Sequence, residues 1–365
     1  MKLKRLLAVL LVAVMTMGCL TACGAGEGNE PEAADVNADT EVTNDKTESE
    51  DNAESTDNAE SSDNAESSDN AESGEKLSIV ATIFPEYDWV REIMGDKFAD
   101  ADVTFLLDNG VDLHSYQPTA DDILKISECD MFIYVGGESD EWVEDVMKDA
   151  TNKDMKVINL LEVLGSSVKE EELVEGMQGE EGEEGEVEYD EHVWLSLKNA
   201  QTLCSVIADT LKEIDPADAD TYDINVTAYN EKLAALDEEY KAAVDAASTK
   251  TILFGDRFPF RYMVDDYGID YYAAFVGCSA ESEASFETIM FLAKKVDELG
   301  LKSICTIENT DKKIAETIKE TTGTKNQKIL TIDSLQSTTS SDLDDGKTYL
   351  QTMTDNLEVL KQALQ

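Results

Sequence analysis

Positive charge is scarce in this chain, which carries 29 Lys and Arg against 80 Asp and Glu, a formal net charge of −51. Nucleic-acid binders neutralise phosphates with clustered Lys and Arg, and no such cluster exists here, so that class of partner is excluded. Histidine is scarcer still, with 2 in 365 residues. Catalytic signatures are missing as well. There is no His-Glu-x-x-His helix, no Gly-x-Ser-x-Gly elbow and no Gly-x-x-x-x-Gly-Lys phosphate loop. Among the 6 cysteines, those after Cys23 (Cys129, Cys204, Cys278 and Cys305) show no metal-knuckle or redox spacing. They read as small buried apolar residues, with Cys278 the exception to watch.

What is present begins with a leader. Met1-Lys2-Leu3-Lys4-Arg5 is basic, and Leu6 to Met17 is apolar but too short to cross a bilayer core. Leu20-Thr21-Ala22-Cys23 resembles the bacterial lipobox. Residues 1–22 are therefore expected to be a removed signal peptide, with a lipid on Cys23. That lipid would hold the protein to the outer face of the cytoplasmic membrane. Residues 23–75 follow as an acidic tether. The unit Asp-Asn-Ala-Glu-Ser starts at Asp51, Asp57, Asp63 and Asp69, and 18 acids face the single Lys46. Such a segment cannot bury enough apolar surface to offset the entropy of ordering.

From Lys76 the composition becomes globular. Short apolar runs at Leu77–Ile83, Val103–Leu107, Met131–Val135 and Val157–Leu160 alternate with helical periodicity. The same alternation recurs at Thr251–Phe254, Tyr271–Phe275, Ser303–Ile307 and Ile329–Ile332. This predicts an α/β protein of two lobes, 76–214 and 248–365, each with a parallel sheet flanked by helices. Asp215-Pro216 reads as a helix start, so one long helix over 215–247, about 48 Å in length, is expected to join them. Ligands of parallel α/β sheets bind beyond the carboxyl ends of the strands, which places the site in the cleft between lobes. A second acidic run, 170–191, holds 12 acids and no base. It reads as a solvated loop whose removal leaves stability unchanged.

Both histidines stand in settings suited to a metal: Gly110-Val111-Asp112-Leu113-His114-Ser115-Tyr116-Gln117-Pro118 and Asp190-Glu191-His192-Val193-Trp194-Leu195. Neutral imidazole is the commonest nitrogen donor to transition metals, and acids nearby favour a cation. These segments, with the opening strand Ile79–Pro85, Tyr262–Gly268, Asp333 and the closing Tyr349…Asn356-Leu357, resemble the zinc and manganese solute receptors of bacterial ABC importers. The resemblance runs from Leu77 to Leu364. It implies two lobes linked by one helix, capture of zinc or manganese, and delivery to a membrane permease. It also implies a monomer without catalytic activity.

The same resemblance implies metal ligands at His114, His192 and Asp333, and a further one at the position of Arg257. A guanidinium has no lone pair to give, so another donor is needed. Glu281 is the expected substitute. Glu281 and Glu283 could equally be acids at the start of the helix from Ser285, and Arg257 could pair with Asp256 or another carboxylate of the cleft. Zinc stands ahead of manganese, although the missing third imidazole weakens it. Two other readings stay open: a surface lipoprotein with a degenerate metal site, serving adhesion or a non-metal ligand, and a metallohydrolase. Asp342-Leu343-Asp344-Asp345-Gly346 approaches a calcium loop but lacks its closing Glu.

Overall fold

The computed structural model describes residues 76–179, 188–279 and 283–365. The leader, Cys23, the tether and Glu281 lie outside them. The first lobe opens with β1 (Ser78–Ala81), α1 (Phe84–Met94), β2 (Asp102–Phe105), α2 (Ala120–Glu128), β3 (Met131–Tyr134), α3 (Val143–Asp149), β4 (Lys156–Asn159) and α4 (Leu160–Leu164). Its sheet has the order β2-β1-β3-β4, and every pairing is parallel. β1 and β3 are the inner strands, covered on both faces, which is why Ile79-Val80-Ala81 and Met131-Phe132-Ile133 are continuous apolar runs with almost no exposure.

Two antiparallel helices follow, α5 (Leu197–Ile214) and α6 (Ala219–Ala246). The long helix thus begins at Ala219 and not at Pro216. Asp215 ends α5, and its carboxylate accepts the Tyr222 hydroxyl at 2.6 Å, so Asp215-Pro216 forms the turn between helices. At 28 residues α6 is about 42 Å long. Its buried side chains Tyr222, Val226, Tyr229, Leu233, Leu236, Tyr240 and Val244 recur at three- and four-residue steps and form one stripe.

The second lobe contains β5 (Thr251–Leu253), β6 (Arg257–Phe258), α7 (Arg261–Tyr267), β7 (Asp270–Tyr272), β8 (Phe275–Val276), α8 (Phe286–Leu299), β9 (Ser303–Thr306), α9 (Lys313–Thr321), β10 (Lys328–Thr331), α10 (Ser340–Asp344) and α11 (Tyr349–Ala363). β5 pairs with β7 and β9 with β10, both parallel, and a parallel bridge between Phe254 and Cys305 joins the two pairs. The order β7-β5-β9-β10 repeats that of the first lobe: second, first, third, fourth. β6 and β8 continue the β5 and β7 segments past Asp256 and pair again, Arg257 opposite Phe275.

α6 ties the lobes together. At one end Asn225 donates to the Ile93 carbonyl of α1 at 2.9 Å, and at the other the Tyr240 hydroxyl donates to the Met353 carbonyl of α11 at 2.6 Å. A continuous apolar core includes Phe132 of the first sheet, Leu233 of α6 and Phe254 and Leu357 of the second lobe. Opening the lobes by a hinge would expose part of that core, at about 25 cal/mol per Å².

The acidic run departs from its expectation as a solvated loop. Glu170 bridges Tyr189, the Glu171 amide donates to the Glu188 carbonyl at 3.0 Å, and the Gln178 amide donates to Ala274 at 2.9 Å. Arg261 meets Glu172 at 3.1 Å and Lys295 meets Glu175 at 3.3 Å. Residues 170–179 therefore form a strap from the first lobe onto the second, because its backbone finds partners and two of its acids find bases. Residues 180–187 are outside the described part.

Candidate metal centre

The centre forms beyond the carboxyl ends of the strands. After β2 the chain turns at Gly110, whose φ of +77° suits glycine and brings the loop against Ser337 and Thr339 of the second lobe. Asp112 accepts the His114 amide at 3.1 Å and so starts the single helical turn Leu113–Ser115. Leu113 is buried, and the Tyr116 hydroxyl donates to Asp122 at 2.9 Å. The loop is fixed on both sides of His114.

His192 is held more tightly. One oxygen of Asp190 accepts both its amide and its Nδ1–H, each at 2.9 Å. Val193, Trp194 and Leu195 after it are buried, and the Trp194 indole donates to the Ser334 carbonyl at 2.9 Å. Gly277 faces the ring so closely that a Cβ there would lie 2.9 Å from the imidazole Cε1.

The two rings converge on each other. His114 Nε2 and His192 Nε2 are 3.1 Å apart. The Nδ1 atom of His114 meets the Ser139 hydroxyl at 2.8 Å, with a Glu191 oxygen at 3.5 Å. Each ring thus has its Nδ1 occupied by an oxygen partner and turns its Nε2 into a common space, the arrangement that leaves Nε2 free to donate a lone pair. Two nitrogens on a tetrahedral zinc are about 3.3 Å apart, given bonds of 2.0–2.1 Å. The spacing fits a metal ion with little movement. The Cys278 sulfur completes a group of three donor atoms within 4.8 Å of one another.

Electrostatics match the geometry. Burial first, and the neighbouring His192 second, push His114 down to about 3, so its ring is neutral. Burial opposes charge on His192 too, but Asp190 outweighs it and raises that ring above its ordinary value. Cys278 is pushed well above the usual thiol range by burial and by Asp190 and Glu171. A cavity of about 480 Å³ leads to His114 and Cys278 between Glu171, Glu191 and Tyr189.

The remaining candidates are placed differently. Arg257 pairs across the lobes with Asp112, which holds the Asp112 carboxyl below its ordinary range against the effect of burial. Asp333 lies outside the three-donor group. Lys347 holds its carboxylate at 2.9 Å, and its second oxygen accepts the Leu335 amide at 2.8 Å. Glu283 is exposed ahead of Ser285, which caps α8 by accepting the Thr288 amide at 3.1 Å. Asp342 caps α10 with Thr339, so the calcium-like segment is a helix start. Ser139 enters the centre without a motif to announce it, whereas Glu191 stands next to His192 in the sequence. Asp190 had a signal, an acid two residues before a metal-type histidine.

Comparison with known proteins agrees with this architecture. The family described as "Zinc-uptake complex component A periplasmic" matches residues 79–363. The zinc-binding protein AdcA of Streptococcus pyogenes serotype M6 is 31% identical over 298 residues, 78% of this chain and 56% of its own. The chain therefore spans about half the length of that curated relative. The high-affinity zinc uptake system protein ZnuA of Bacillus subtilis is 29% identical over 294 residues, covering 80% of this chain and 88% of its own. In structure, the Zn(II)-bound ZnuA-like domain of Streptococcus pneumoniae AdcA superposes with a TM-score of 0.62 at 30% identity, covering 79% of this chain and 99% of that domain. From β1 to α11 the chain belongs to the zinc-uptake component A family.

Proposed function

We propose that the protein captures zinc outside the cytoplasmic membrane and hands it to the permease of an ABC importer. The observation that carries this reading is the convergence of His114 Nε2 and His192 Nε2 at 3.1 Å, with each Nδ1 engaged by an oxygen. Lipid on Cys23 would keep the receptor at the membrane, with residues 24–75 as its tether. No helix among the described residues is long and apolar enough to cross a membrane itself. The receptor acts as a monomer and performs no chemistry on its cargo.

Binding follows from the site. The acidic wall of the cavity draws a cation toward His114. His114 offers a neutral ring at once, while His192 gives up the proton that Asp190 favours. Asp190 and Ser139 then hold both rings in place, so few rotamers are frozen at the moment of capture. Removing metal with a chelator and reloading the protein should restore one zinc per chain, and His192→Ala should abolish that uptake. A reloaded wild type holding no zinc would contradict the reading.

A further inference from the structure

Resting on the zinc-receptor reading, one ligand question can be decided: what replaces the side chain that Arg257 displaces. We propose that the Cys278 sulfur is the third protein ligand, which makes the centre a two-histidine, one-cysteine site selective for zinc over manganese.

Three observations carry this. The sulfur lies with both imidazole nitrogens inside a 4.8 Å group. Arg257, committed to Asp112, has no lone pair and no free geometry to serve. The backbone also delivers Cys278 to the rings. It is the second residue after β8, the intervening Gly277 lets the chain approach the His192 ring to a distance no Cβ would tolerate, and Glu171 accepts the Cys278 amide at 3.0 Å. Cys129, Cys204 and Cys305 are buried elsewhere, whereas Cys278 is half-buried and borders the cavity that leads to His114.

Chemistry then sets the selectivity. When the ion binds, the S–H bond breaks, the proton leaves to water through the cavity, and the thiolate electron pair forms the metal–sulfur bond. No oxidant or reductant is involved. Thiolate donors favour zinc, while manganese prefers oxygen, so the sulfur discriminates where carboxylates would not. It also cancels one of the two positive charges on the ion inside a half-closed site.

Cobalt(II) reports on this directly, since a bound thiolate gives an intense sulfur-to-metal absorption in the near ultraviolet. Cobalt titrated into the purified, metal-free protein should produce that band, and added zinc should bleach it. Cys278→Ser should remove the band and weaken zinc about 100-fold, a larger loss than the same change causes for manganese. The wild-type spectrum needs no variant to fold, so it decides alone. Cobalt bound without the band overturns the cysteine assignment and spares the receptor reading, whereas a wild type that takes up neither metal overturns both.

Discussion

Arg257 of the second lobe grips Asp112 of the first, two residues before His114. The family resemblance places a metal ligand at that arginine, but in the structure its side chain clamps the loop that presents His114. Arg257→Ala leaves Asp112 a partly buried acid without its base. We expect a loss of roughly 1–3 kcal/mol in stability and a 10- to 100-fold loss of zinc affinity. Thermal melts and competition titrations with a zinc chelator measure the two effects. A variant with wild-type values in both would show that the clamp is idle.

Proton release provides a second check. Because Asp190 raises His192 above its ordinary value of 6.5, the metal-free site holds an extra proton at mildly acidic pH. Zinc must displace it. The number of protons released per zinc should rise by one as pH falls through the raised value, and affinity should steepen its decline by about tenfold per pH unit. Calorimetry in buffers of different ionisation enthalpy counts these protons. A count independent of pH would argue against a protonated His192.

Glu86 governs a separate pH effect. Burial, with Asp140 nearby, raises its carboxyl from 4.5 to about 8, despite amide hydrogen bonds from Thr82 and Ile83 that favour the anion. A raised folded-state value stabilises fully below the unfolded value and is lost as pH climbs through the folded one. The melting temperature of the wild type should therefore fall relative to Glu86→Gln between pH 4.5 and about 8. Parallel curves across that window would mean that Glu86 is ionised in the fold.

Removing residues 170–190 should destabilise the protein. The strap loses its backbone bond to Ala274 and its ion pairs with Arg261 and Lys295. At about 1 kcal/mol per hydrogen bond, a loss of roughly 2 kcal/mol or more corresponds to about 5 °C in melting temperature. An unchanged melt would return the segment to the solvated loop that its composition suggests.

The sheets were legible because inner parallel strands are apolar runs, as in Ile79-Val80-Ala81 and Met131-Phe132-Ile133. The histidine pair was legible because His114 and His192 are the chain's whole supply and both sit among acids. The α5 helix was not among the expectations, although Leu203, Ile207 and Leu211 recur at four-residue steps on its buried face. Asp215-Pro216 has the chemistry of a helix start, but a turn between helices lies there. The strap defeated composition, since acids can be held by backbone pairing and by bases distant in sequence. The approach of Cys278 to the rings depends on Gly277 and on β8 pairing with β6, and neither leaves a periodic pattern. Asp333 is placed by family pattern, and in the structure its carboxylate pairs with Lys347.

Zinc is expected to bind between His114 and His192. A crystal structure of the zinc-loaded protein, with anomalous scattering measured at the zinc edge, locates the ion. One peak is expected about 2.0–2.1 Å from both Nε2 atoms, with Asp190 and Ser139 still on the Nδ1 sides. A peak at Asp333 or on the acidic strap, with the two Nε2 atoms still 3.1 Å apart and bridged by a proton, would contradict it.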